Sequence, residues 1–208
     1  MKVLLFLIIS LSVFLVGCDD SSNNDNQANN TNYSTERLSS SKENLNTNDD
    51  TDEKVTEEPM ASFSTKISQK YPDRQNNITL ACQSLNGYIV KAGETFSFCN
   101  TLGPATPEAG YKKADTFDAD GNTIQAYGGG KCQVSTTLYN AVLAVPSLTV
   151  VERHEHSGPV YYVPEDMDAC VSYGSCDFKF KNDNDFDIKL YFSNTPDEIS
   201  VSIVKVSS

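Results

Sequence analysis

Apolar positions recur at strand spacing in the C-terminal third of the chain and at helical spacing in its middle, behind a long polar stretch. Phe186, Ile188, Leu190 and Phe192 keep a strict period of two, the mark of a strand with one buried face. Segments 160–163, 169–173, 177–180 and 199–206 are short apolar clusters between turn residues and predict further strands. In the middle, Val134, Leu138, Ala141, Val142 and Val145 share one helix face, and Pro146 ends that helix. Ile78, Ala81, Cys82 and Leu85 fall at i, i+3, i+4 and i+7 and predict a second helix, opened by Asn76 or Asn77 and stopped by Gly87. Segments 88–90 and 95–98 read as strands flanking the turn Lys91-Ala92-Gly93-Glu94, and Thr106-Pro107-Glu108 as a short helical start. Asp120-Gly121-Asn122 is placed to turn a hairpin between 114–118 and 123–127. The class expected is α+β, with N-terminal helices followed by a mainly antiparallel sheet.

The polar stretch changes the domain picture. Residues 19–60 are rich in Asp, Asn, Ser, Thr and Glu and have too few aliphatic side chains to offset chain entropy, so they read as a disordered tether. From Asp19 to Glu58 there are eleven acidic and three basic residues, most of the net charge of −12. The acidity therefore belongs to the leash and says little about a substrate. Before it, Lys2 and the apolar run 3–16 end in Gly17-Cys18, too short for a spanning helix and shaped like a signal peptide. The tetrapeptide Leu15-Val16-Gly17-Cys18 resembles the bacterial lipobox. That resemblance implies lipidation at Cys18 and an extracytoplasmic, membrane-anchored protein. The expected organisation is a signal peptide at 1–17, a tether at 18–60 and a folded domain at 61–208.

Chemistry concentrates in Gly128-Gly129-Gly130-Lys131-Cys132-Gln133, where a glycine loop becomes the middle helix. A cysteine there meets unpaired N–H groups and the positive end of the helix dipole, both of which favour the thiolate. Cys132 is the candidate nucleophile. With Cys18 assigned to lipid, five cysteines remain, an odd number: if four pair, one thiol stays free, and Cys132 suits that role. Cys82, Cys99, Cys170 and Cys176 allow three pairings, of which the local ones, Cys82 with Cys99 and Cys170 with Cys176, are favoured. His154 and His156 are the only histidines. Fourteen residues of helix at about 1.5 Å carry the chain ~21 Å from Cys132, and a strand over 149–156 at about 3.3 Å per residue returns ~26 Å. Both histidines then lie level with the cysteine, on one strand face with Glu152.

Taken together, Asn77-Ile78 through Leu85-Asn86-Gly87, Gly93-Glu94-Thr95-Phe96-Ser97-Phe98, Gly103-Pro104, Gly110-Tyr111, the block 128–141, Glu152-Arg153, His156-Ser157, Tyr162-Val163-Pro164 and Asp168-Ala169 resemble a VanW domain over about 62–194. Some members of that family act as L,D-transpeptidases that crosslink peptidoglycan through a cysteine, and the resemblance implies that activity here. It assigns the base to His156 in preference to His154. Asp168 is the orienting carboxylate by motif, while Glu152 competes for that place by strand face. The cysteines other than Cys132 are extra to the family pattern, which supports reading them as two added disulfides. Lys131 stands where an aliphatic residue is usual and adds a positive charge beside the thiol. Gly129, Gly130, Gln133, Lys131, His154 and Ser157 complete the expected oxyanion and substrate-binding set.

The expected partners are peptidoglycan stem peptides and, through Cys18, a membrane; no nucleic acid, cofactor or metal is expected, and the chain is read as a monomer. Rival readings are a cysteine peptidase of the same geometry, a non-catalytic muropeptide or glycopeptide binder, and a zinc site built from Cys132, His154 and His156.

Overall fold

A computed structural model describes residues 55–207. The signal peptide, Cys18 and most of the tether lie outside the described residues. Among those described, no helix is long and apolar enough to cross a membrane.

The fold opens on a strand, β1 (Thr56–Lys66), that pairs antiparallel with the last one, β9 (Glu198–Ser207), from Thr56 opposite Ser207 to Lys66 opposite Glu198. β1 departs from the sequence expectation in two ways: it takes 56–60 out of the tether, and it adds a strand over 61–66 that the pattern of residues does not predict. The reason is physical: β1 is an edge strand with mostly exposed side chains and a register shift between Pro59 and Ala61, so it shows no clean alternation.

Helix α1 (Pro72–Leu85) starts earlier than Asn76, because Pro72 at its first position has a ring already set to helical φ. Next come β2 (Tyr88–Val90), β3 (Thr95–Ser97) and the five-residue α2 (Phe98–Leu102). The two short strands do not pair with each other: β2 joins β8 and β3 joins β7. The expected hairpin is present as β4 (Lys113–Phe117) and β5 (Thr123–Tyr127), with Ala114 opposite Ala126. Helix α3 (Lys131–Leu143) follows the glycine loop, and β6 (Leu148–Glu152) follows α3. Residues 153–178 hold no strand beyond a single bridge between Ser172 and Cys176, which corrects the strands expected at 160–163 and 169–173. β7 (Lys179–Asn182) and β8 (Asp187–Asn194) complete the set.

Three antiparallel sheets result, ordered β1-β9-β8-β2, β3-β7-β6 and β4-β5. The α+β class holds, although the helices are not all N-terminal. Ile188, Leu190 and Phe192 of β8 and Ile199, Val201 and Ile203 of β9 turn inward and are buried, as period two requires. They meet Ile78, Ala81 and Leu85 of α1 and Leu138, Ala141 and Val142 of α3 in one core, each large side chain contributing about 1.5–3 kcal/mol by leaving water.

Helix α3 is buried nearly all round, and its polar side chains are spent on positioning. On one side Thr137 Oγ1 bonds Thr65 Oγ1 at 2.8 Å, and the Gln133 amide donates to Lys66 O at 2.9 Å, fastening β1. On another side Ser135 Oγ donates to Ala169 O, Thr136 Oγ1 accepts from Ala169 N–H at 3.0 Å, and Asn140 donates to Met167 O at 2.8 Å. The strap carrying Asp168 is thereby held against the helix that carries Cys132.

Candidate functional site

Cys132 is the second residue of α3, after Gly130 at φ 111°. The glycine loop is pressed from two directions. A side-chain carbon on Gly129 would stand 2.6 Å from Ala114 O and 2.7 Å from Asp115 O of β4, and one on Gly130 would stand 3.0 Å from Ile78 of α1. Asn77, fully buried, clamps the loop with its amide on Gly129 O at 3.0 Å and Lys112 O at 2.9 Å, while its oxygen accepts Lys112 N–H at 2.8 Å. This residue is inside α1 and serves the loop, instead of opening the helix.

His156 reaches the site from the irregular segment beyond β6, not from a strand. Its Nδ1 lies 2.5 Å from Asp168 Oδ2, whose oxygen also accepts the His156 main-chain N–H at 2.8 Å. The other Asp168 oxygen accepts from Arg153 Nη2 at 2.7 Å, and Arg153 Nε donates to Asp168 O at 2.6 Å. With Nδ1 engaged, Nε2 is left for Cys132; one ring nitrogen of His156, Cys132 Sγ and Cys170 Sγ lie within 4.8 Å of one another. The structure brings Cys132, His156 and Asp168 together.

The charges support this arrangement. Hydrogen bonding from Cys170 holds the Cys132 thiol well below its ordinary value; burial opposes, and His156 and the Val171 N–H add to the lowering. Burial pulls the His156 imidazolium down, but its bond to Cys132 and the charges of Cys132 and Asp168 outweigh that and raise it. Burial likewise pushes Asp168 up, and His156 and Arg153 more than compensate, leaving it low. Cys170 is pushed up, first because it donates to Cys132. These directions favour a thiolate beside an imidazolium, oriented by a carboxylate.

The remaining expected residues divide. Gly129, Gly130, Lys131, Gln133 and Ser157 line the same cleft, which encloses about 760 Å³. Gln133, however, has both side-chain atoms engaged, its oxygen by Arg74 at 2.9 Å and its nitrogen by Lys66 O, so it is a positioning residue without a free donor for an oxyanion. Lys131 is buried with its ammonium over the Tyr111 ring, 5.6 Å from the centroid, and burial lowers its pKa while the Cys132 charge raises it. Ser157 donates to Asp118 O and ties the His156 segment to the hairpin. His154 lies outside the cleft, bonded at 2.9 Å to Glu152 Oε1, and Glu152 in turn binds Lys179 at 2.7 Å. Neither belongs to the thiol site, because β6 ends at Glu152 and the two histidines do not share a strand face. The three-ligand grouping the structure offers is Cys132, His156 and Cys170, with Cys170 in the place expected of His154.

None of the five described cysteines is disulfide-bonded in this structure. Cys170 and Cys176 sulfurs are 3.6 Å apart, while Cys99 Sγ points at the Cys176 carbonyl at 3.4 Å and Cys82 is buried in the core. Neither disulfide expected from the sequence is formed in this structure. Burial pushes both Cys82 and Cys99 up to about 12, which disfavours the reactive thiolate at each.

Two residues of the site escaped the sequence reading. Arg153 holds Asp168, and its place in the Glu152-Arg153 pair of the matched motif was the available signal. Arg74 lines the cleft from the first turn of α1; the early helix start at Pro72 puts it four residues before Ile78 on the buried face.

The sequence pattern of the family described as VanW like protein matches residues 73–204. An uncharacterized protein YoaR of Bacillus subtilis is 37% identical over 128 residues, which cover 62% of this chain and 42% of that protein. The vancomycin B-type resistance protein VanW of Enterococcus faecalis is 34% identical over 128 residues, covering 59% of this chain and 46% of that protein. The chain thus spans less than half the length of either relative. No solved structure matches.

Proposed function

The chain belongs to the VanW-like family, and from that premise we propose that it is a cysteine acyltransferase of the cell wall, an L,D-transpeptidase acting on peptidoglycan stem peptides. The observation that carries the reading is the grouping of Cys132 with His156, sulfur and ring nitrogen within 4.8 Å of each other in an open cleft that both line, with Asp168 bonded to the His156 ring. The Cys132 thiolate attacks a stem-peptide carbonyl, and the N–H of Cys132 is offered to the oxyanion that develops, those of Lys131 and Gln133 being spent on Gly128 O and Gly130 O. His156 gives its proton to the leaving amine, the C–N bond breaks, and a thioester on Cys132 remains. An amine from a neighbouring stem adds to the thioester, returns its proton to His156 and expels the thiolate. Asp168, held by Arg153, keeps the imidazole in the tautomer this needs and stabilises its charge. By the lipobox, the protein is anchored outside the cytoplasm through Cys18, where these stems are found.

The test is the intact mass of the full chain after incubation with a tetrapeptide-stem muropeptide. The expected result is a covalent adduct of the donor fragment on Cys132, absent in Cys132→Ala, followed by a crosslinked dimer. Release of the shortened stem without dimer would assign a peptidase instead. Absence of any adduct, with a stable non-covalent complex, would assign a binding protein.

A further inference from the structure

Arg74 is 8% exposed and lines the cleft that holds Cys132. Of its five N–H donors, Nη2 spends one on Gln133 Oε1, whereas Nε is buried with no partner at all. No described carboxylate forms an ion pair with it. Asp115 and Cys132 act on it only through space: neither is bonded to it, and Asp115 is bonded to Gln125 instead. A guanidinium taken out of water with donors unpaired is costly, and an anionic ligand group in the cleft would offset that cost.

The other cations of the cleft are already engaged. Lys131 lies over Tyr111, and His156 is held by Asp168. Arg74 is also rigid, because Gln133, its one partner, is anchored to Lys66 O and follows Cys132 in the sequence. A planar fork fixed beside a nucleophile suits a bidentate carboxylate.

We propose that Arg74 is the specificity residue of the cleft and binds the free α-carboxylate of the peptide's C-terminal residue. The scissile bond then precedes that terminal residue, which leaves as a free amino acid. The assignment rests on the acyl-transfer reading, so it is tested with probes that separate the two.

The first probe is alkylation of Cys132 in the full chain by iodoacetate, which carries a carboxylate, and by neutral iodoacetamide. Arg74→Gln should slow iodoacetate about tenfold and change iodoacetamide by less than about twofold, the loss of one charge-assisted contact. Arg74→Lys keeps the charge but not the fork and should retain only part of the iodoacetate preference. An unchanged ratio in Arg74→Gln, or equal loss in both variants, overturns the proposal. The second probe is a tetrapeptide stem against its C-terminal amide: the wild type should acylate from the free acid in preference, and Arg74→Gln should not discriminate. Equal rates in the wild type would refute terminal-carboxylate recognition. A shifted alkylation ratio with no acylation by either peptide would uphold the anion site and bring down the acyl-transfer reading instead.

Discussion

Asp168 matters at the scale of single residues because it joins three groups that would otherwise be separate: the His156 ring, the His156 backbone and Arg153. Cys132 is a thiolate only above its lowered pKa, and His156 is an imidazolium only below its raised one, so the competent pair exists between the two. Acylation should therefore follow a bell in pH, with the acid limb from Cys132 and the alkaline limb from His156. Asp168→Asn removes the negative charge that holds His156 up. Its pKa falls, the thiolate loses part of its partner's charge, and the bell narrows from both sides. Acylation should fall about 100-fold or more, as for other losses of general acid–base function. The check is the pH profile of Cys132 alkylation alongside acylation; an unmoved profile would make Asp168 a mere prop. Stability carries the same signs. The Asp168 contribution is present above the unfolded carboxylate pKa and is lost as pH falls through its lower folded value. The His156 contribution is full below the unfolded imidazole pKa and is lost as pH rises through its higher folded value.

The decisive elements are the glycine loop and α3, which act as one unit. Asn77 clamps the loop, β4 packs against Gly129, and the polar faces of α3 hold β1 on one side and the Asp168 strap on the other. Gly129→Ala places a methyl 2.6–2.8 Å from backbone atoms of Ala114 and Asp115, which no rotamer can relieve. The loop must shift, at a cost of about 1–3 kcal/mol, and Cys132 shifts with it. Urea unfolding should show the loss of stability and alkylation of Cys132 should slow together. Full stability with normal alkylation would mean that the loop tolerates the contact by moving freely. This unit was readable in part: the three glycines, the cysteine and the helical apolar stripe are local features, while the clamp by Asn77 depends on residues 35 and 52 positions away.

At the scale of the whole described domain, the first strand closes on the last. β1 runs along β9 for the length of the strand, and Thr65 and Lys66 reach from it to α3. A chain beginning at residue 55 should unfold cooperatively at the temperature of the longer protein, whereas one beginning at residue 67 should lose that transition, having stripped β9 of a neighbour and Gln133 of its anchors. Circular dichroism on heating distinguishes them, and equal midpoints would show β1 to be dispensable.

Local periodicity by itself determined β8, β9, the β4-β5 hairpin, the core face of α3 and the apolar stripe of α1, because a buried face must repeat at the spacing of its own backbone. Cys132 was legible from its glycine loop and helix start, whereas His156 and Asp168 were singled out by the family resemblance, the residues alone leaving His154 and Glu152 open. Only the tertiary structure decided the rest. β2 and β3 look like the arms of one hairpin yet join different sheets, since pairing is set by distant partners. β1 carries little alternation because an edge strand buries little. His154 was separated from His156 by where β6 stops. Arg74 became visible only when α1 was seen to start at Pro72, for an inward charge without a partner is a property of the packed site, and no window of sequence contains both the guanidinium and the cleft it faces.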